Sequence, residues 1–202
     1  RHPSMQPNPG RAWLGVLIAL AGCLNRLTSA TAQPDQPAMV IAVQVRGSVV
    51  VQHGTATETE TVMDGSQLGQ ADTITTAAQS SVMLVIPNGT VVALKEKSRL
   101  KISVALQSAL LAGEPPVAAG AEPAEPGVSQ TGFELSFGEM LTRVRKLNPS
   151  STFEVQTPVS VAAVRGTVCE ISYQPGAKGD AQYQLSTASG LVHVRPHAGQ
   201  MV

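Results

Sequence analysis

The sequence predicts an all-β fold, a single domain of about 10 to 12 short strands in a sandwich or roll, or in a solenoid-like stack. Valine is frequent and clustered, and β-branched side chains pack well on a pleated sheet. Turn residues interrupt the apolar runs at intervals of about 8 to 12 residues, which is not typical of β-α-β folds. Aromatic residues make up only 3% of the chain, so we expect a core of Val, Leu, Ile and Ala.

Residues 1–32 are predicted to be an export signal. The apolar run WLGVLIALAGCL, residues 13–24, suits a signal peptide, whereas a membrane-spanning helix needs roughly 20 residues. Two cleavage sites compete: Ala30-Thr31-Ala32 fits ordinary signal cleavage, and Leu20-Ala21-Gly22-Cys23 fits a lipobox in which Cys23 is lipidated. An uncleaved anchor is the third alternative. We therefore expect a periplasmic or envelope-associated protein that meets the membrane only through its signal peptide or a lipid anchor.

Residues 33–39 are predicted to be a spacer, and residues 40–202 the domain. The clearest hairpin signal is Pro87-Asn88-Gly89, because Asn-Gly supplies the positive φ angles of a tight turn between paired strands. Val159–Val164, rich in small residues, is compatible with one helical turn. Cys169 lies in an apolar strand run, VCEISY, and is predicted to be a small buried hydrophobic residue.

One segment, residues 107–130, interrupts the regular succession of short predicted strands. It is dominated by Ala, Pro, Glu and Gly, and its four prolines are incompatible with a long helix. It has few large apolar side chains to offset the entropy cost of ordering. We predict a disordered insertion, and we expect deletion of Ser108–Ser129 to leave the fold intact.

The sequence offers no catalytic, cofactor or metal site, so we expect a protein that is not an enzyme and needs no cofactor. His53, His193 and His197 are predicted to be surface histidines, and Glu58 and Glu60 have no apolar pocket around them. No nucleophile elbow, phosphate loop or dinucleotide fingerprint occurs. Charged residues make up 14% of the chain, its formal net charge is zero and no basic stripe is present, which argues against nucleic acid as a partner.

Several short motifs follow one another in order between Val43 and Tyr173. The most specific pattern is F-x-V-x-T-P followed by V-R-G-T, in Phe153–Pro158 and Ala163–Thr167. The others are Val45–Val49, Asp64-Gly65, Asp72–Thr76, Asn88–Leu94, Ser98–Ile102 and Phe133–Gly138. This order resembles the FecR domain, the periplasmic domain of regulators that relay signals from outer-membrane transporters.

The resemblance implies a set of family-motif positions for which a structural role is expected: Gly47, Gly65, Asn88, Gly89, Phe153, Thr157, Pro158, Arg165, Gly166 and Thr167. Gly166 is expected to adopt a backbone conformation closed to other residues and to re-aim the chain. Arg165 is then expected to donate hydrogen bonds to exposed carbonyls at that corner.

Two features depart from the family pattern. Regulators of this family carry a cytoplasmic anti-sigma segment before a membrane helix; about ten residues precede the apolar run here, so we expect no such segment, and residues 107–130 are longer than the pattern requires. The sequence therefore predicts a non-enzymatic envelope binding module that acts through protein–protein contacts, for example by lending a sheet edge to an incoming strand. The alternative is a cell-wall or polysaccharide-binding domain, for which Tyr173 and Tyr183 are the available sugar platforms.

Overall fold

A computed structural model describes residues 36–108, 125, 127–176 and 180–197, all within the compact unit Ala32–Val202. These residues form strands and no helix, which confirms the all-β prediction. The strands are β1 (Gln36–Pro37), β2 (Val40–Arg46), β3 (Val49–Gln52), β4 (Thr59–Thr61), β5 (Gln67–Leu68), β6 (Thr73–Thr76), β7 (Ser81–Val85), β8 (Val91–Leu94), β9 (Ser98–Gln107), β10 (Ser129–Arg143), β11 (Thr152–Gln156), β12 (Ser160–Gln174) and β13 (Gln182–Pro196).

All thirteen strands join in one curled sheet. Its main path runs β4-β3-β6-β9-β10-β8-β7-β2-β5, and β1 pairs with the end of β9. Neighbours are antiparallel except β10 and β11, which run parallel. β12 pairs with β10, β11 and β13, whereas among the described strands β13 pairs with β12 alone. The last third of the chain therefore forms a branch of the same sheet that starts at β10.

The core follows from the alternation of side chains along each strand. In β11, Phe153 and Val155 are buried while Glu154 and Gln156 are exposed, because successive side chains point to opposite faces. The Phe153 ring packs on Phe133 of β10 with ring centroids 5.8 Å apart. Burial of such a side chain stabilises the fold by about 1.5–3 kcal/mol.

Two glycines bend the longest strands and so curl the sheet. β10 pairs with β9 and β11 before Gly138, and with β8 and β12 from Gly138 on. Gly138 has a φ of 106°, and a side chain there would collide with Ser98. β12 bends at Gly166 in the same way, pairing with β11 before the bend and with β10 after it.

The predicted spacer belongs to the sheet from Gln36 onward. Gln36 and Pro37 pair with Gln107 and Leu106 of β9, and the Ala38 amide donates a hydrogen bond to the Ala105 carbonyl at 2.9 Å. Ala38 is itself part of the core. The sheet therefore includes residues 36–38, which the sequence analysis assigned to the spacer.

The insertion is shorter than 107–130, because both of its ends are folded. Ser108 and Val128 are buried, and the Val128 amide donates to the Ser108 hydroxyl at 2.9 Å. Glu125 is 2% exposed and accepts a hydrogen bond from the Asn148 amide at 3.0 Å. Residues 109–124 and 126 lie outside the described residues. Removal of the whole segment would therefore delete buried groups.

Two other expectations have clear outcomes. Val159–Val164 forms no helical turn: Ser160 begins β12, since Val161–Ala163 pair with β11. The export signal at 1–32, with Cys23, lies outside the described residues. Within the described part of the chain, no helix is long and apolar enough to cross a membrane.

Candidate functional site

Five of the ten family-motif residues lie at one place, which we call the motif corner (residues 88–89, 144–151 and 165–167): Asn88, Gly89, Arg165, Gly166 and Thr167. Residues 144–151 link β10 to β11, and the Val144 amide donates to the Thr167 carbonyl at 2.8 Å. The sequence separates the Asn-Gly and Arg-Gly-Thr motifs by about 75 residues, and the curled sheet brings both to this link.

Arg165 holds the link by hydrogen bonds to its carbonyls. The guanidinium lies 2.6 Å from the Pro149 oxygen, 3.4 Å from that of Ser151 and 3.5 Å from that of Asn148. Gly166 has a φ of 57°, in the left-handed region that favours glycine. Both observations agree with the role expected from the sequence, in which the glycine re-aims the chain and the arginine satisfies the exposed carbonyls of the turn.

Asn88 acts through its side chain. It is fully buried, its Oδ1 accepts from the Thr90 amide at 2.9 Å and its Nδ2 donates to the Ser129 hydroxyl at 3.0 Å. Only Gly89 of the pair has a positive φ, 85°, so the turn differs from the type expected of Asn-Gly. The Ser129 amide in turn donates to the Ser151 hydroxyl at 3.0 Å, which ties the hairpin to the link.

The remaining motif residues are also engaged in the fold. Thr157 is buried and its hydroxyl accepts from the Ser160 amide at 3.1 Å, which closes the turn through exposed Pro158 into β12. Gly47 and Gly65 have φ angles of 70° and 91°. A side chain on Gly47 would approach the Gln79 carbonyl at 2.9 Å, so the position demands glycine. The motif positions thus form and brace turns.

Gly190, which the motif pattern missed, is required by β13. Its φ is 91°, and a side chain there would lie 2.6 Å from Thr167 Cβ and 2.8 Å from the Gly166 carbonyl oxygen. Gly166 and Thr167 oppose Gly190 in a β-bulge between β12 and β13. The sequence signal was a glycine followed by an apolar run, which does not by itself distinguish a bulge from the start of a strand.

Groups that could perform covalent chemistry are shielded. The Cys169 thiol is buried, and burial raises its pKa to about 11. It is therefore protonated at neutral pH and a poor nucleophile. Among residues 36–108, 125, 127–176 and 180–197, no group of three or more His, Cys, Asp and Glu side chains is placed to hold a metal ion.

His53 is more than a solitary surface histidine. Its Nδ1 lies 3.0 Å from a carboxylate oxygen of buried Asp72, and its Nε2 lies 3.5 Å from Glu60. The hydrogen bond to Asp72, with support from Glu60, raises the pKa of His53. Asp72 also accepts from the Gly69 amide at 2.8 Å. The cluster joins the β3–β4 hairpin to the turn before β6.

A polar groove of about 470 Å³ crosses the face of β9 to β12. Gly132 is part of its lining, and exposed alternate residues of β11 line one side. Its lining is rich in hydroxyl, amide and carboxylate groups: Ser103, Gln130, Glu134, Thr152, Glu154 and Gln156. A second depression of about 150 Å³ shares Glu134 and Gln156 and reaches Pro158. The groove can accept a polar, hydrogen-bonding molecule.

The outer edge of β13 is the longest strand edge without a partner in the part of the chain that the structure describes. The strand has 15 residues, whereas β4 and β5, at the ends of the main path, have three and two. Leu191 and Val194 are 58% and 44% exposed. No charged residue occurs between Gln182 and Val192, although charged side chains commonly guard such edges.

The comparisons with known proteins find one family. The family model described as FecR protein matches residues 72–193, more than half of the chain. The matched region begins at Asp72 and ends within β13, beyond the Tyr173 limit expected from the motifs. No curated protein and no solved structure is significantly similar to the chain.

Proposed function

The chain belongs to the FecR family, and on that premise we propose that it is an exported, non-enzymatic binding module of the cell envelope that acts through contact with another protein. The family suggests a role in signalling or regulation through protein interaction. We also propose that the compartment is the cell envelope, that the protein catalyses no reaction, and that the outer edge of β13 is the binding surface.

The edge of β13 carries this proposal. An unpaired strand presents a row of amide and carbonyl groups that an incoming strand can pair with. Main-chain hydrogen bonds then supply affinity, and alternate side chains supply specificity. The exposed Leu191 offers apolar surface beside that edge.

Photo-crosslinking in the native cells tests the function directly. A photoreactive residue at position 191 is compared with one at Met63, which is 67% exposed and away from β13. We expect a discrete protein adduct from position 191 and none from position 63. Equal labelling at both positions, or no protein adduct at either, would count against a protein partner at this edge.

The polar groove favours a second candidate, a polysaccharide or cell-wall ligand. Its amide and carboxylate groups suit hydroxyl-rich chains. The tyrosines do not serve as sugar platforms, because Tyr173 is 7% exposed and Tyr183 packs against the core. Co-sedimentation with purified peptidoglycan tests this function. Binding that Glu154→Ala with Gln156→Ala abolishes, and that Glu58→Ala leaves intact, would favour it over the protein-binding function.

A further inference from the structure

We infer that the β13 edge recognises an extended acidic peptide segment of its partner, paired with Leu191–Arg195; this inference rests on the proposed function. β13 is not one uniform edge. Its pairing with β12 shifts register twice, between Arg165 and Val168 and between Val168 and Cys169. The ladder is therefore irregular at residues 187–190, and the regular run Leu191–Arg195 follows. Pro196, without an amide hydrogen, ends that run.

Side-chain alternation gives this run a distinct face. Val192 packs against the core, so Leu191, His193 and Arg195 point to the opposite face, and all three are exposed. An incoming strand would place its own alternate side chains about 4.5–5.5 Å from these three. The run therefore presents one apolar residue and two basic residues to its partner.

The neighbouring strands do not neutralise this charge. On β12, the residues opposite Leu191, His193 and Arg195 are Arg165, Ala163 and Val161. Arg165 adds a further positive charge, although it is bound to carbonyls. Glu154 pairs with Ala163 from the far side of β12, so two strand spacings, roughly 10 Å, separate it from His193. No acidic residue occurs in Leu191–Arg195.

The first half of β13 has different surroundings. Ser186 pairs with Glu170, which belongs to a network with Glu139 and Lys95. The hydrogen bond with Glu139 and the ion pair with Lys95 lower the pKa of the Glu170 carboxyl. Two carboxylates share one lysine there, so an acidic residue of the partner is less favoured beside Ser186 than beside Arg195.

A second copy of the chain fits this edge less well. A symmetric antiparallel pair of β13 strands would be centred near residue 189, where the register shifts interrupt the ladder. It would also place the Leu191–Arg195 run of one copy beside uncharged residues of the other, since Gln182–Thr187 contains no acidic side chain. A foreign acidic segment leaves the irregular part unpaired and neutralises the basic residues.

Selection from a phage-displayed library of random nine-residue peptides tests this inference. The full chain is the target, and peptides that also bind the Leu191→Glu variant, which lacks the apolar side chain and repels acidic residues, are removed. We expect the selected peptides to carry acidic residues at alternate positions together with an apolar residue. Arg195→Glu should weaken their binding by about tenfold. The matched charge reversal Arg46→Glu, at an exposed position on β2, should leave it unchanged.

The outcomes separate this inference from the proposed function. Selected peptides that are neutral or basic, or that bind Arg195→Glu equally well, would overturn the acidic specificity and leave edge binding intact. Failure to select any peptide, with no adduct from position 191, would overturn both. Sedimentation that shows a concentration-dependent dimer lost in Leu191→Glu would make a second copy the occupant and overturn the inference.

Discussion

The motif corner and the β13 edge meet at the Gly166–Gly190 bulge, and they differ in burial and in hydrogen bonding. At the corner, Asn88 and Thr167 are buried, and hydrogen bonds satisfy the exposed carbonyls of the turn. Along the edge, Leu191 and Arg195 are exposed, and the backbone pairs on one side only with strands that the structure describes. The motifs that identify the family therefore stabilise the fold, and the surface available for binding carries few of them.

We expect glycine substitutions in this bulge to cause the largest loss of stability. Gly190→Ala should cost about 3 kcal/mol or more, because a strained φ and close contact with Thr167 act together. Gly166→Ala should cost about 1–2 kcal/mol, since its φ is strained but the nearest atom, Lys146 Cα, would be 3.6 Å away. Chemical denaturation of both variants measures the difference, and equal losses would contradict the role of crowding.

Within the corner, Asn88→Ala should reduce the free energy of unfolding by about 1–3 kcal/mol, because it strips partners from the buried Thr90 amide and Ser129 hydroxyl. The matched change at a half-buried position is Asn148→Ala, whose side chain accepts a hydrogen bond from the exposed Ser150 amide. Thermal unfolding of the two variants compares them. A smaller loss for Asn88→Ala than for Asn148→Ala would show that the buried network contributes little.

Arg165→Ala should have a smaller effect, about 1 kcal/mol, because the guanidinium is exposed although it binds three carbonyls. Gly166→Val should cost more than Arg165→Ala, since a β-branched residue does not tolerate a φ of 57°. Urea unfolding ranks the pair. If Arg165→Ala lowered the free energy of unfolding more than Gly166→Val, the arginine and not the glycine would be the main stabilising residue of this motif.

At the surface, the contribution of His53 to the free energy of unfolding should depend on pH. Its pKa is raised in the folded state, mainly by the hydrogen bond to Asp72. Its contribution is therefore fully present below the unfolded value of 6.5 and is lost as pH rises through the higher folded value. His53→Gln should cost less than about 1 kcal/mol at pH 5, since half of the ring is exposed, and close to nothing at pH 9. Equal costs at both pH values would exclude the ion pair as the cause.

Substitution of an exposed residue on the β13 edge should have the smallest effect on stability. Leu191→Glu should change the free energy of unfolding by no more than about 0.5 kcal/mol, because the side chain is 58% exposed. The same variant should lose binding to the selected peptides. Denaturation and peptide binding measured on one preparation test both statements, and a large stability loss would show that Leu191 belongs to the core.

The sequence by itself determined the fold class and several local structures. Clustered valines and period-two alternation predict strands because a β-branched side chain fits a pleated surface. The Gly166 conformation was predictable for a similar reason, as a glycine between two strand-forming runs indicates a bend. The folded ends of residues 107–130 were harder to predict from the sequence. A composition of small residues does not show that Ser108 and Val128 are buried by the strands beside them.

Only the tertiary structure decided which distant segments meet. The exchange of strand partners at Gly138 and Gly166 brings Asn88 and Arg165 to the same link, and it leaves β13 with one neighbour. Alternation specifies which face of a strand is buried, but it does not specify which strand lies alongside. For that reason the sequence predicted an edge for binding without identifying it, and the curl of the sheet placed that edge at β13.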